Sequence, residues 1–142
     1  MSTIADIAGA VAWELNNKQW KISLTAWQWY RPRFEVEELD SLRVSVVPRS
    51  LTIEADGRAY DSREYRIDVA IQKKLKDELS MEIDELIGLV EDIARHFRLR
   101  RLTTLPGALC VKIENDPIYA IEHLEELRCF TSILTLTFRM ID

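Results

Sequence analysis

A metal centre or a nucleophilic site in this chain would have to draw on His96, His123, Cys110 and Cys129. Zinc sites use Cys and His ligands in short, paired spacings, and these four match no such pattern. Cys110 and Cys129 fall in separate strand-like segments and read as buried free thiols, since an unpaired cysteine behaves as a small core hydrophobe. The histidines read as surface residues. A hydrolase needs a base beside its nucleophile, whereas His96 stands at a helix end and His123 in an acidic segment, neither within a motif. The pairs Glu37-Glu38 and Glu125-Glu126 read as solvated faces rather than an acid and a base. With four glycines there is no phosphate-cradling loop, and Asp56-Gly57 belongs to a turn. Arg95, Arg98, Arg100 and Arg101 follow a helix that starts with Glu82, Asp84 and Glu85, the order that complements a helix dipole. The expectation is no catalytic residue, no cofactor and no metal.

The elements around these residues are legible from periodicity. Tyr65, Ile67, Val69 and Ile71 alternate with Arg66, Asp68, Ala70 and Gln72, which predicts a strand with one apolar face. After a short break, Ile83, Leu86, Ile87, Val90, Ile93, Ala94 and Phe97 recur at the helical period and predict a long helix with one buried stripe. This strand–helix unit, residues 63–99, is the expected centre of the fold. Before it, Ser2 or Thr3 caps a first helix with the stripe Ile4, Ile7, Ala8, Val11, Ala12 and Leu15, ending at Asn16-Asn17. Residues 21–31 predict a long strand, with Ile22, Leu24 and Ala26 on one side and Trp27 and Trp29 on the other. Pro32 ends it, because proline cannot donate to a ladder.

An acidic connector over 34–42 leads to a strand that Pro48 is expected to stop. Residues 102–108 read as a loop. Leu109, Val111 and Ile113 are the inward positions of the next strand, Asp116-Pro117 turns the chain, and residues 121–127 form at most a short helix. The last segment, 129–141, alternates Phe130, Leu134, Leu136 and Phe138 with a threonine-rich face suited to a strand. Taken together the chain reads as a single α/β (α+β) domain spanning 1–142, with about four to six strands.

Residues 50–62 pose a phase problem. A two-residue turn at Asp56-Gly57 would set Ile53 opposite Tyr60, whereas the following strand buries odd positions. Either a bulge near Asp61-Ser62 shifts the register, or the segment is a projecting, partly mobile β-hairpin arm. The arm is the preferred reading, because Leu51, Ile53 and Tyr60 are too few for a private core. Its charges, Arg49, Glu54, Asp56, Arg58, Asp61 and Arg63, suit contacts that set register with a neighbouring subunit. The arm is therefore one candidate interface, and the aromatic face of Trp27 and Trp29 is the other.

The totals bound the class. At 142 residues, 47% apolar and 30% charged, the chain describes an ordinary globular domain. A net charge of -5 argues against a nucleic-acid-binding surface. No apolar run approaches a membrane span, and the N-terminus has no signal-peptide pattern, so the expectation is synthesis in cytoplasm and no membrane partner.

The order of segments has a counterpart. A short helix is followed by a strand ending in Tyr30-Arg31-Pro32, an acidic connector with Glu37, Glu38 and Leu39, and the strand Val44-Ser45-Val46-Val47-Pro48. A charged arm, the strand from Tyr65 to Lys74, the long helix and a closing strand from Phe130 to Arg139 complete the pattern. This resembles the small tail-terminator and tail-completion proteins of long-tailed bacteriophages and prophages, over nearly the whole chain. The tryptophan-rich first strand departs from it. The resemblance implies a mixed sheet with the long helix and the shorter N-terminal helix on one face. It implies a homo-oligomeric, hexameric ring in the virion that caps the tail tube and offers a surface to a head-side neck or connector protein. DNA would pass through the lumen without specific binding, and the family supplies no catalytic residues. Two other readings compete: another head-to-tail connector or neck component, and a monomeric small-ligand binding module or small enzyme.

Overall fold

The computed structural model describes residues 2–30, 39–55, 57, 61–76 and 79–140, with only the backbone of Asp61, Leu79 and Ser80. Three helices, α1 (Thr3–Asn16), α2 (Leu79–Phe97) and α3 (Ile121–Leu127), combine with six strands. These are β1 (Thr25–Gln28), β2 (Arg43–Ala55), β3 (Asp61–Lys74), β4 (Arg101–Leu102), β5 (Leu105–Glu114) and β6 (Cys129–Met140). The sheet runs β1-β2-β3-β6-β5-β4 and is mixed, because β1 pairs with β2 in parallel while every other pairing is antiparallel. Among the described residues no helix is long and apolar enough to cross a membrane.

β3 is paired on both edges, so its period-two pattern converts directly into an inside and an outside. Val69 stands opposite Val46 on one side and Leu134 on the other, and Ile67 stands opposite Leu136. Residues paired across a ladder share a face. Val44, Val46, Ile67, Val69, Ile71, Leu134, Leu136 and Phe138 therefore form one apolar surface. Both long helices lie on it: Ile7, Val11 and Leu15 of α1 and Leu86, Leu89, Val90, Ile93 and Phe97 of α2 join the same cluster. Ser2 caps α1 by accepting from the Ala5 N–H at 3.3 Å. Glu82 fastens the start of α2 to the end of β3, accepting from Lys73 Nζ and, at 2.7 Å, from the Lys76 backbone N–H.

Several expectations are corrected. The buried stripe of α2 is centred on Leu89, which the periodicity reading omitted, while Ile83, Ile87 and Ala94 are half-buried at its rim. The first strand is four residues long rather than eleven, pairing with β2 only over Thr25–Gln28, and Asn16 bonds its other edge. Its Oδ1 accepts from the Ala26 N–H at 2.8 Å and its Nδ2 donates to the Ala26 C=O at 2.9 Å. A side-chain amide thus occupies the outer edge of β1 where another strand would pair. Pro48 does not stop β2. The ladder slips by one residue between Pro48 and Ser50, and the bulge at Arg49 accommodates the proline.

Residues 102–108 are not a loop but the β4–β5 hairpin, with Leu102 opposite Leu105. A second slip between Cys110 and Lys112 makes Ala108 and Cys110 the fully buried positions, with Ile113 inward only beyond the bulge. Leu109 and Val111 are half-buried.

If α2 packs through Leu89, Leu89→Ala should cost about 2–5 kcal/mol in urea unfolding, and Ile87→Ala less than half as much. Equal costs would return the stripe to its sequence-read position.

Candidate assembly surface

The last pair between β3 and β6 is Glu64 with Arg139, yet β2 and β3 stay paired to Ala55 and Asp61. The outer part of this hairpin therefore overhangs the sheet as a two-stranded ribbon. That is the arm, and its phase problem resolves in two ways. Five residues, 56–60, separate the paired ends, so Ile53 faces Arg63 rather than Tyr60. The bulge lies at Arg49 instead of near Asp61-Ser62. Gly57 has φ +91°, a left-handed conformation that glycine takes without a Cβ clash.

Leu51 pairs with Tyr65 and Ile53 with Arg63, so the two apolar side chains continue the core face outward. Tyr65 is buried, whereas Leu51 is 49% and Ile53 56% exposed. Glu54 and Arg63 are exposed on the same ribbon. Asp56, Arg58 and Tyr60 lie outside the described residues, as does the Asp61 side chain. Arg49 stands at the bulge, with its guanidinium on the outer face of the sheet. Its Nη1 lies 3.2 Å from Asp68 Oδ2, and Asp68 Oδ1 also accepts from Thr135 Oγ1 at 2.8 Å. Further out, Arg66 donates to Thr52 Oγ1, and Glu64 joins Arg139 at 3.1 Å. The outer face of the central strands thus pairs its charges with one another.

The aromatic candidate is more covered. Trp27, in register with Ser45, lies on that outer face with the Arg43 guanidinium 5.0 Å from its ring centre. Both Trp27 and Trp29 are half-buried, and Ser45 and Ala70 on this face are fully buried. Apolar residues that periodicity did not single out are more open, among them Leu99 at 65% and Ile121 at 56%.

One polar cluster went unread in the sequence. Glu14 is buried on the apolar side of α1. Its Oε1 accepts from the Thr103 N–H at 2.8 Å, and its Oε2 lies 2.7 Å from Arg100 Nε and 2.8 Å from His96 Nε2. Its signal was available: Glu14 follows Ile7 and Val11 at helical spacing, a carboxylate on the buried stripe. Burial pushes the Glu14 carboxyl up, but the bonds from Thr103 and His96 and the Arg100 charge outweigh this and hold it below 4.5. Burial, with Arg100 and Lys18 nearby, holds His96 below 6.5 against the pull of Glu14. The group is a carboxylate countered by Arg100, with a neutral imidazole donating its Nε2–H. His96 is thus no surface histidine; it lies edge-on to Trp20 and Phe97. Arg100 likewise does more than complement a helix dipole. The cluster ties α1, the end of α2 and the β4–β5 turn together.

His123 is exposed, with Nδ1 2.9 Å from Thr131 Oγ1. Cys110 and Cys129 are free and buried, and burial pushes the Cys110 thiol up to about 12 and Cys129 upward as well. Among the described residues no three His, Cys, Asp or Glu side chains meet as metal ligands.

Two predictions follow from these groups. Both Glu14 and His96 have folded values below their ordinary ones, so their stabilisation is present above 6.5 and 4.5 and is lost on acidification. Stability should fall first as pH drops below 6.5, through His96, and again below 4.5, through Glu14 and Glu82. His96→Gln, which can still donate to Glu14, should flatten the first decline in urea unfolding, and an unchanged decline would remove His96 as its source. The thiols should react with a disulfide reagent only as fast as the protein opens; rapid labelling in native buffer would place them at the surface.

No family model matches the chain and no curated protein matches it, so the likeness to tail-terminator proteins rests on the pattern of segments alone.

Proposed function

We propose that this protein is a ring-forming subunit of a long-tailed phage or prophage tail, of the tail-terminator kind. It caps the tail tube in the virion and presents a surface to a head-side neck protein, and it performs no catalysis. The observation that carries this reading is the overhanging arm: a regular ribbon with Leu51 at its root and Ile53 on it, both half in water, built on the central strands of the sheet. An isolated two-stranded ribbon is marginal in water, and a neighbouring copy gives its apolar side something to cover. Contacts between unlike surfaces of identical subunits close into rings when the rotation allows. A net charge of -5 suits a lumen through which DNA slides, since like charge discourages phosphate binding.

Electron microscopy and light scattering of the protein, alone and mixed with tail tubes, should show closed rings and capped tube ends. A monomer at every concentration that leaves tube ends bare would overturn the reading. Tube-free rings that bind head-side connectors would move the protein to the other side of the neck. Replacing residues 52–61 by a short Gly-Ser turn spares the β3–β6 ladder, so the fold should lose no more than about 1 kcal/mol while rings disappear.

A further inference from the structure

A projecting strand needs a receiving edge, and the fold offers few. The outer edge of β1 is occupied by Asn16. At the opposite end of the sheet, β4 covers β5 only as far as Leu109, with one further bond from the Cys110 N–H to the Arg100 C=O. From Val111 to Glu114, β5 is paired to β6 alone among the described residues. An open groove of about 540 Å³ runs along this edge. Four consecutive β5 residues, Cys110 to Ile113, line it opposite Ala94, Arg95, Arg98 and Leu99 at the end of α2. The slip at Val111 bends the strand here, and the groove lies beside the stretch of β5 that β4 no longer covers.

The wall of this groove contains an anomaly. Leu99 has φ +54°, the left-handed conformation that glycine or asparagine ordinarily supplies after a helix, and its side chain is 65% exposed. A leucine there strains the backbone and gains little burial within its own chain. Both costs are explained if its side chain is covered by something outside the subunit.

The arm matches this edge. Beyond Val46, where β1 ends its pairing, the outer edge of β2 is unpaired through Ala55 among the described residues. A strand can be laid on the β5 edge with either face toward the helices. One choice puts Leu51 and Ile53 over Ala94 and Leu99, with Glu54 on the side of Lys112. The other turns Leu51 and Ile53 toward the outer face, beside the charged pair Lys112 and Glu114. The first continues apolar on apolar, with Arg95 and Arg98 at the groove rim.

We infer that the β2 strand of one copy's arm adds to the free edge of β5 in the next copy, seating Leu51 and Ile53 against Leu99. This rests on the reading of the chain as a ring subunit and names its joint: a head-to-tail strand addition in which donor and acceptor are different surfaces. Backbone bonds supply the attachment, and the side-chain faces set its direction.

The test uses the full chain with Leu99→Gly, which weakens the acceptor, and Ile53→Asp, which weakens the donor. Leu99→Gly should melt at or above the wild type, since glycine relieves the left-handed position, while association weakens about tenfold or more by sedimentation. Ile53→Asp should remain folded and also fail to assemble. Mixed in equal amounts, the two variants retain one intact joint per pair and should give heterodimers and nothing larger. Assembly of Leu99→Gly at wild-type strength would overturn the inference and leave the ring reading standing with another interface. A wild type that stays monomeric at every concentration and on tail tubes would overturn both.

Discussion

The register of β3 between its two neighbours is the constraint on which the rest of this structure depends. Pairing with β2 and β6 on both edges fixes which side chains face inward, and so where α1 and α2 can lie. The same register decides where the sheet stops. Because the described pairing of β6 ends at Glu64, the hairpin beyond that residue is two-stranded among the described residues. The core face continues outward through Leu51, at the last three-stranded rung on this face, to Ile53 on the ribbon, and both are exposed. Arm and core are thus one continuous surface, divided by where β6 ends.

The apolar face accounts for most of the packing, and one buried ionic group determines how its parts meet. Helices laid on a sheet through greasy contacts can slide, since the hydrophobic effect has no direction. Glu14 supplies direction: a carboxylate with three donors from three segments accepts one arrangement of α1, α2 and the β4–β5 turn. Removing its partners would leave a charge in a low-dielectric site, where such groups are costly. The cluster also places the turn that begins β5, so the strand edge lining the groove is held by the same carboxylate. In the proposed ring, donor and acceptor would both be set by rigid parts of the fold.

Those two surfaces differ in how readily they were seen. The arm stood out because a charged, turn-bearing stretch lay between two good strands with too few large apolar residues to fold on itself. The β5 edge did not, since a free edge is defined by which strands are absent beside it. Leu99 was equally silent: in the sequence it is one more leucine near a helix end, and only its backbone angle and exposure set it apart.

By itself the sequence determined the identity of the elements: two amphipathic helices, the central strand, the closing strand, the short helix and the projecting hairpin. These follow from the 3.6- and 2-residue periods, which depend only on near neighbours along the chain. It also marked Asn16 as a helix end, but not as the side chain that closes the β1 edge. The tertiary structure alone decided the slips at Arg49 and Val111, the partner of Glu14, the extent of β1 and the true centre of the α2 stripe. Each of these depends on which distant strand or helix arrives alongside. A bulge changes the facing of every later residue, and Pro48 marked a break in the ladder without saying that the strand would resume beyond it; a buried carboxylate is permitted only once its donors from elsewhere are in place. Local patterns specify elements; the joints between them are specified by what meets across the fold.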